Sequence, residues 1–155
     1  MTIQQISEDE YTRMKDQGIM DHQLADDYSN DVYFYHIVDQ NKEVVLGIYK
    51  NNDGLRPVIR ICGNKVYVGY GHCVDIIEQS TVHRCGHHIF DSLVYDLLVV
   101  SERIIAVLEL DVVLFDAYGD ILATYNMSDI VASYRICDNL LLVSTVDGKT
   151  FSTSV

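Results

Sequence analysis

The sequence predicts a mainly β protein, with antiparallel sheets in repeated units that form an incomplete, open array and one short helix at the N-terminus. Three observations lead there. From Asp31 onward Val, Ile, Tyr, Leu and Thr dominate short runs punctuated by Gly, Asn and Asp, the composition of strands and tight turns. Those runs recur with a period of 38 residues. The chain of 155 residues, 48% hydrophobic and 22% charged, is about one domain with enough apolar surface for a core of its own. A single domain over 1–155 is therefore expected, with an acidic helical segment at 1–30 and a β-repeat region at 31–155.

The helix comes first. Ser7 followed by Glu10 is a capping box, in which the hydroxyl accepts from the backbone N–H three residues on. The acidic turn Glu8-Asp9-Glu10 suits the positive end of a helix dipole, and Gly18 stops a helix over about 8–17. Residues 19–31 then read as an acidic connector. Residues 1–31 hold eight acids against two bases, half of the chain's net charge of −12.

The repeat follows. Shifting Asp53–Val66 forward by 38 residues lays it on Asp91–Ile104, with Leu55 on Leu93, Ile59 on Leu97, Ile61 on Val99 and Lys65 on Arg103. A third copy begins at Asp129 after one deletion. Each unit reads as a strand, a tight polar turn (Gly63-Asn64, Ser101-Glu102, Asp138-Asn139), a second strand and a longer hairpin. In the first unit the hairpin precedes the repeat, as Asp31–His36 paired with Glu43–Tyr49. In the third it is Asp111–Asp116, turning through Tyr118-Gly119-Asp120 into Ile121–Tyr125. Four antiparallel strands in about 40 residues resemble the blade of a β-propeller. That likeness covers 31–155 and implies two complete blades and part of a third, too few to close a ring.

Chemistry leaves fewer marks. His72, Cys73, His83, Cys85, His87 and His88 are zinc-type ligands, and strand alternation would put His83, Cys85 and His87 on one face. A zinc-binding regulator or enzyme is the alternative they suggest. Steps of two along a strand are roughly 7 Å, however, too wide for one tetrahedral ion, and no Cys-x-x-Cys pair occurs. A polar hairpin is the simpler expectation, with no metal or cofactor. Asp53, Asp91 and Asp129 recur as turn residues. No nucleophile elbow or phosphate loop is present, so no enzyme is expected. The four cysteines, Cys62, Cys73, Cys85 and Cys137, lie in apolar runs and are read as reduced core thiols. With no basic, apolar leader and no long apolar run, a cytoplasmic protein without membrane contact is expected.

The remaining signal is charge. With 23 acids against 11 bases the chain repels nucleic acid and attracts cationic partners. Eleven tyrosines supply contact area at little entropic cost, several beside acids. The candidate partner-binding set is Asp26, Asp27, Tyr28 and Asp31 with Asp116, Tyr118 and Asp120. Small size, acidity and the absence of catalytic motifs resemble the bacterial immunity proteins that block nuclease toxins, including those of contact-dependent growth inhibition systems. The resemblance implies an inhibitor that neutralises a basic toxin domain, acting alone or as a small oligomer such as a homodimer. A third reading is an adaptor that binds extended peptides at an open sheet edge.

Overall fold

The structure is a computed structural model and describes residues 1–25, 32–38, 45–51 and 53–155. Ser7 caps the helix as its sequence requires. Its side chain accepts from Glu10 N at 3.2 Å, and α1 runs over Glu8–Asp16 with Gln17 as the C-terminal cap. The segment read as helical also holds two strands, β1 (Thr2–Ile6) and β2 (His22–Ala25). Neither shows apolar alternation. Thr2, Ile3, Gln4 and Gln5 are all exposed, and β1 is a strand because it completes the backbone pairing of β3.

The chain then builds β3 (Val32–Val38), β4 (Val45–Asn51), β5 (Val58–Cys62), β6 (Lys65–Tyr70), β7 (Cys73–Glu78) and β8 (His83–Ile89). It continues with β9 (Val94–Val100), β10 (Arg103–Leu108), β11 (Asp111–Phe115) and β12 (Ile121–Asn126), and ends with β13 (Val131–Cys137), β14 (Leu140–Thr145) and β15 (Thr150–Ser154). They form four sheets ordered β1-β3-β4-β2, β5-β6-β7-β8, β9-β10-β11-β12 and β13-β14-β15. All pairings are antiparallel except β2 with β4. The 38-residue period therefore marks real units, but two hairpins are reassigned: β3 and β4 build a further blade with β1 and β2 ahead of the first unit, and β11 and β12 complete the second unit and not the third. Among the described residues the array has three four-stranded blades and one of three strands, and it is open.

The tight turns have the expected geometry. Ser101-Glu102 and Asp138-Asn139 have positive φ at both positions, the form whose twist matches an antiparallel hairpin.

Middle strands are apolar on successive residues because both of their faces are covered. Val66, Val68 and Tyr70 of β6 pack with Leu24, Leu46 and Ile48 of the first blade. Tyr67, between them, turns the other way to join Val94, Leu97, Ile104, Ala106 and Phe115 of the third. Ile105 and Val107 meet Leu141 and Val143 of the fourth. Each interface thus buries a row of aliphatic and aromatic side chains, the main favourable term in folding.

The two outward faces are handled differently. Tyr11 and Met14 of α1 cover the first blade, packed with Ile6, Met20 and Val45. Gly47 lets the helix approach, since a Cβ there would lie 2.9 Å from the Tyr11 ring. On the fourth blade the registers put Ser133, Ser144, Thr150, Ser152 and Ser154 outward beside Arg135 and Leu142. A polar outer face is how stacked repeats end without exposing core.

Two expectations about the His/Cys segment change. The β7–β8 register shifts between Ile76 and Ile77, so that Ile76 faces Gly86 and Ile77 faces Arg84. Cys85 is the extra residue of this bulge. A bulge inverts alternation beyond it, which puts His83 and His87 on opposite faces and not on one. All four cysteines are free thiols, but only Cys73 is buried and Cys62 is half-buried. Cys85 and Cys137 are exposed, because the bulge and the strand end lie outside the packed rows.

Candidate functional site

The β11–β12 hairpin brings Asp116, Tyr118 and Asp120 together at one tip. Asp116 shapes it. Its Oδ1 accepts from Tyr118 N at 2.8 Å and Asp120 N at 3.0 Å, and its own N–H donates to Asp120 O at 2.9 Å. This is the local bonding that makes Asp a turn residue, so Asp116 is an organiser and Asp120 the exposed acid.

The tip rests on the second blade. Gly119 has φ +92° and a Cβ there would lie 2.6 Å from Ile76 Cδ1, so both conformation and space require glycine. His88 Nε2 donates to Gly119 O at 3.0 Å, which fixes the ring with its proton on that nitrogen. The same ring meets Phe115 edge-on with centroids 5.1 Å apart. Lys65 Nζ donates to Ala117 O at 3.2 Å and also to Tyr118 O, and it stands 5.9 Å above the Tyr118 ring. The Tyr118 backbone is thus held from two blades while the residue stays 80% exposed.

Asp26, Asp27, Tyr28 and Asp31 lie outside the described residues. Many other acids are tied into the fold. Asp53 accepts from Leu55 N at 2.8 Å and from the buried Lys50 Nζ at 2.6 Å. Asp111 accepts from Ser92 and Asn126. Hydrogen bonds from Lys149 and Thr145 hold the Asp147 carboxyl far below the usual carboxylate range.

Two polar groups escaped the sequence reading. Asp75 is fully buried on β7 and accepts from Tyr70 Oη, with His87 Nδ1 at 2.9 Å and Arg84 Nη1 at 3.5 Å. Burial and the adjacent carboxylate push the Tyr70 phenol far up. A lone acid inside Cys73-Val74-Asp75-Ile76-Ile77 was the available signal, since a buried carboxylate needs partners. The other group joins three blades. Arg60 Nη2 of β5 donates to Asp96 Oδ1 of β9 at 2.8 Å, and Tyr134 Oη of β13 donates to Asp96 Oδ2 at 3.0 Å. The first strands of these sheets therefore converge on an inner rim.

Burial first, and then the Asp96 carboxylate, push the Tyr134 phenol up to about 12 from its ordinary 10.0. A phenol raised in the folded state contributes stability that is complete below its unfolded pKa and lost as pH climbs through the folded one. Tyr134→Phe should therefore flatten the fall in thermal midpoint between pH 10 and 12, where Tyr67 also contributes. An unaltered slope would remove Tyr134 from that coupling.

Among the described residues no group of three His, Cys, Asp or Glu side chains is placed to hold a metal ion. No helix there is long and apolar enough to cross a membrane.

No family model matches the chain, and no curated protein does. Solved structures do. The chain is similar to the computationally designed Ika4 protein, with a TM-score of 0.57 and 14% identity over 86% of this chain and 89% of that one. It is similar to BamB from Moraxella catarrhalis, with a TM-score of 0.56 and 11% identity over 83% of this chain and 41% of that one. For BBS1N, solved in complex with ARL6DN, the TM-score is 0.52 and the identity 14%, over 79% and 43%. The chain spans about two fifths of the latter two chains. At such identities the likeness is one of fold: BamB and BBS1 are propeller-like, and this chain arranges its sheets in the same manner as an open array.

Proposed function

We propose that the chain is a binding protein and not an enzyme, and that it engages a basic protein partner through the corner formed by Tyr118 and Asp120. The observation that supports it best is the tyrosine. A ring that is largely exposed on a backbone fixed by Asp116, His88 and Lys65 loses little freedom on docking, the condition under which aromatic residues become binding hot spots. Asp120 beside it adds charge that steers a cationic partner. The chain's acidity acts in the same direction at longer range.

The narrower form of this reading is an immunity protein whose acidic surface fills the nucleic-acid groove of a nuclease toxin, in the cytoplasm of a bacterium. The zinc alternative gains less support, because His87 and His88 are engaged with Asp75 and Gly119 and the bulge separates His83 from His87.

The test is direct binding to the purified product of the reading frame immediately upstream of the gene, at low and physiological salt. A basic partner that associates more slowly as salt rises is expected. Asp120→Lys should slow association, and Tyr118→Ala should speed dissociation by tenfold or more, since contact area is lost only after docking. Failure of that product to bind, or binding unaltered by both substitutions, would overturn the proposal.

A further inference from the structure

A second surface has the opposite character. Between β1 and β5 lies a cleft of about 420 Å³, lined by Met1 and Ile3 on one side and by residues 57–61 on the other. It continues into a smaller hollow of about 220 Å³ lined by Ile3, Gln5, Arg56 and Pro57.

The lining pattern says how each wall is presented. Alternate residues 1, 3 and 5 come from the β1 side, so that wall is one face of an extended segment. Five consecutive residues come from the β5 side, which a single face cannot supply, so that wall is the edge of the strand. Among the described residues β5 is the edge of its sheet, with β6 as its paired neighbour. Alternate residues of such a strand keep N–H and C=O groups that no neighbouring strand takes. Arg60 covers one of them, donating Nη1 to Ile59 O at 2.8 Å while Nη2 holds Asp96.

Charge complements this shape. In a chain with 23 acids and 11 bases, the walls of both hollows hold two arginines and no acid. Arg60 is committed to Asp96. Arg56 is exposed at the mouth. Ile3 and Ile61 are 37% and 45% exposed, which leaves apolar surface for alternate side chains of an incoming strand.

We propose that this cleft binds an extended acidic peptide segment, which adds as a strand to the free edge of β5, rests side chains on Ile3 and Ile61, and places a carboxylate against Arg56. Main-chain pairing supplies affinity in this mode and the flanking side chains supply selectivity. The surface is separate from the Tyr118 corner, so either proposal can fail without the other.

The experiment uses the full chain and three labelled ten-residue peptides at physiological salt, read by fluorescence anisotropy. One alternates valine with glutamate, one replaces every glutamate with lysine, and one carries proline at alternate valines. The glutamate peptide is expected to bind at least tenfold more tightly than the lysine peptide, although the net charge of the protein favours the reverse order. Arg56→Glu, at an exposed position, should remove that preference, and the proline peptide should lose tenfold or more because its N–H donors are gone. Equal or tighter binding of the lysine peptide, no binding of any peptide, or indifference to Arg56→Glu or to proline would overturn the proposal.

Discussion

Truncation of Phe115 to alanine is expected to lower the free energy of unfolding by about 3–5 kcal/mol, the range for removing a buried aromatic ring. The ring is fully buried in the row between the second and third blades. It lies 6.3 Å from the Tyr67 ring and 5.1 Å from His88, measured between centroids. None of these neighbours can follow it inward, because Tyr67 sits in a paired strand and His88 is bonded to Gly119 O. The loss would be a large part of the roughly 5–15 kcal/mol that holds a domain together. Phe115→Leu keeps most of the volume and should cost under about 2 kcal/mol. Urea denaturation of the two variants checks this, and equal midpoints would mean that the ring is not a packing element.

The second large effect belongs to Asp75. Asp75→Ala leaves the Tyr70 hydroxyl buried without an acceptor, and an orphaned buried polar group costs about 1–3 kcal/mol before the lost volume is added. A total of about 2–4 kcal/mol is expected. The other partners of the carboxylate temper it. Arg84 and His87 are 43% and 34% exposed, so water takes over part of what the carboxylate gave them, and the figure stays below that for a fully enclosed pair. Asp75→Asn retains an acceptor for Tyr70 and should cost about 1–2 kcal/mol. If alanine proved milder than asparagine in thermal melts, the carboxylate would be a burden on the fold and not a junction within it.

The contrast between Phe115 and Asp75 shows what the sequence made legible. Apolar rows betray themselves by period and composition, and the 38-residue recurrence located three of the four blades without any contact being known. The cap at Ser7, the turn residues and the hairpin tip were legible for a similar reason, since each is a bond within a few positions of itself. β1 and β2 were not, because edge strands with so little apolar alternation are defined by partners far along the chain, β3 and β4. The bulge at Cys85 left no local trace either, and with it went the face on which His87 lies. Long-range polar partners such as Lys65 with the 117–118 backbone, or Arg60 with Asp96 and Tyr134, pair residues whose types alone carry no address. For the Tyr118 corner, the sequence supplied an aromatic between two acids. Only the fold supplied its rigidity.

Because the buried rows of the described residues lie between successive sheets, the molecule behaves as a short one-dimensional chain of coupled units, and its stability is close to a sum of nearest-neighbour interface energies. Among the described residues the fourth blade is three-stranded and packs its inner face on the third, so it has less to lose on detaching than the blades covered on both faces. Its amides should exchange with solvent through partial openings that leave the first three blades intact. A partner seated on the Tyr118 hairpin straddles the junction of the second and third blades and would lock that junction alone. The fourth blade could then breathe while the partner remains bound.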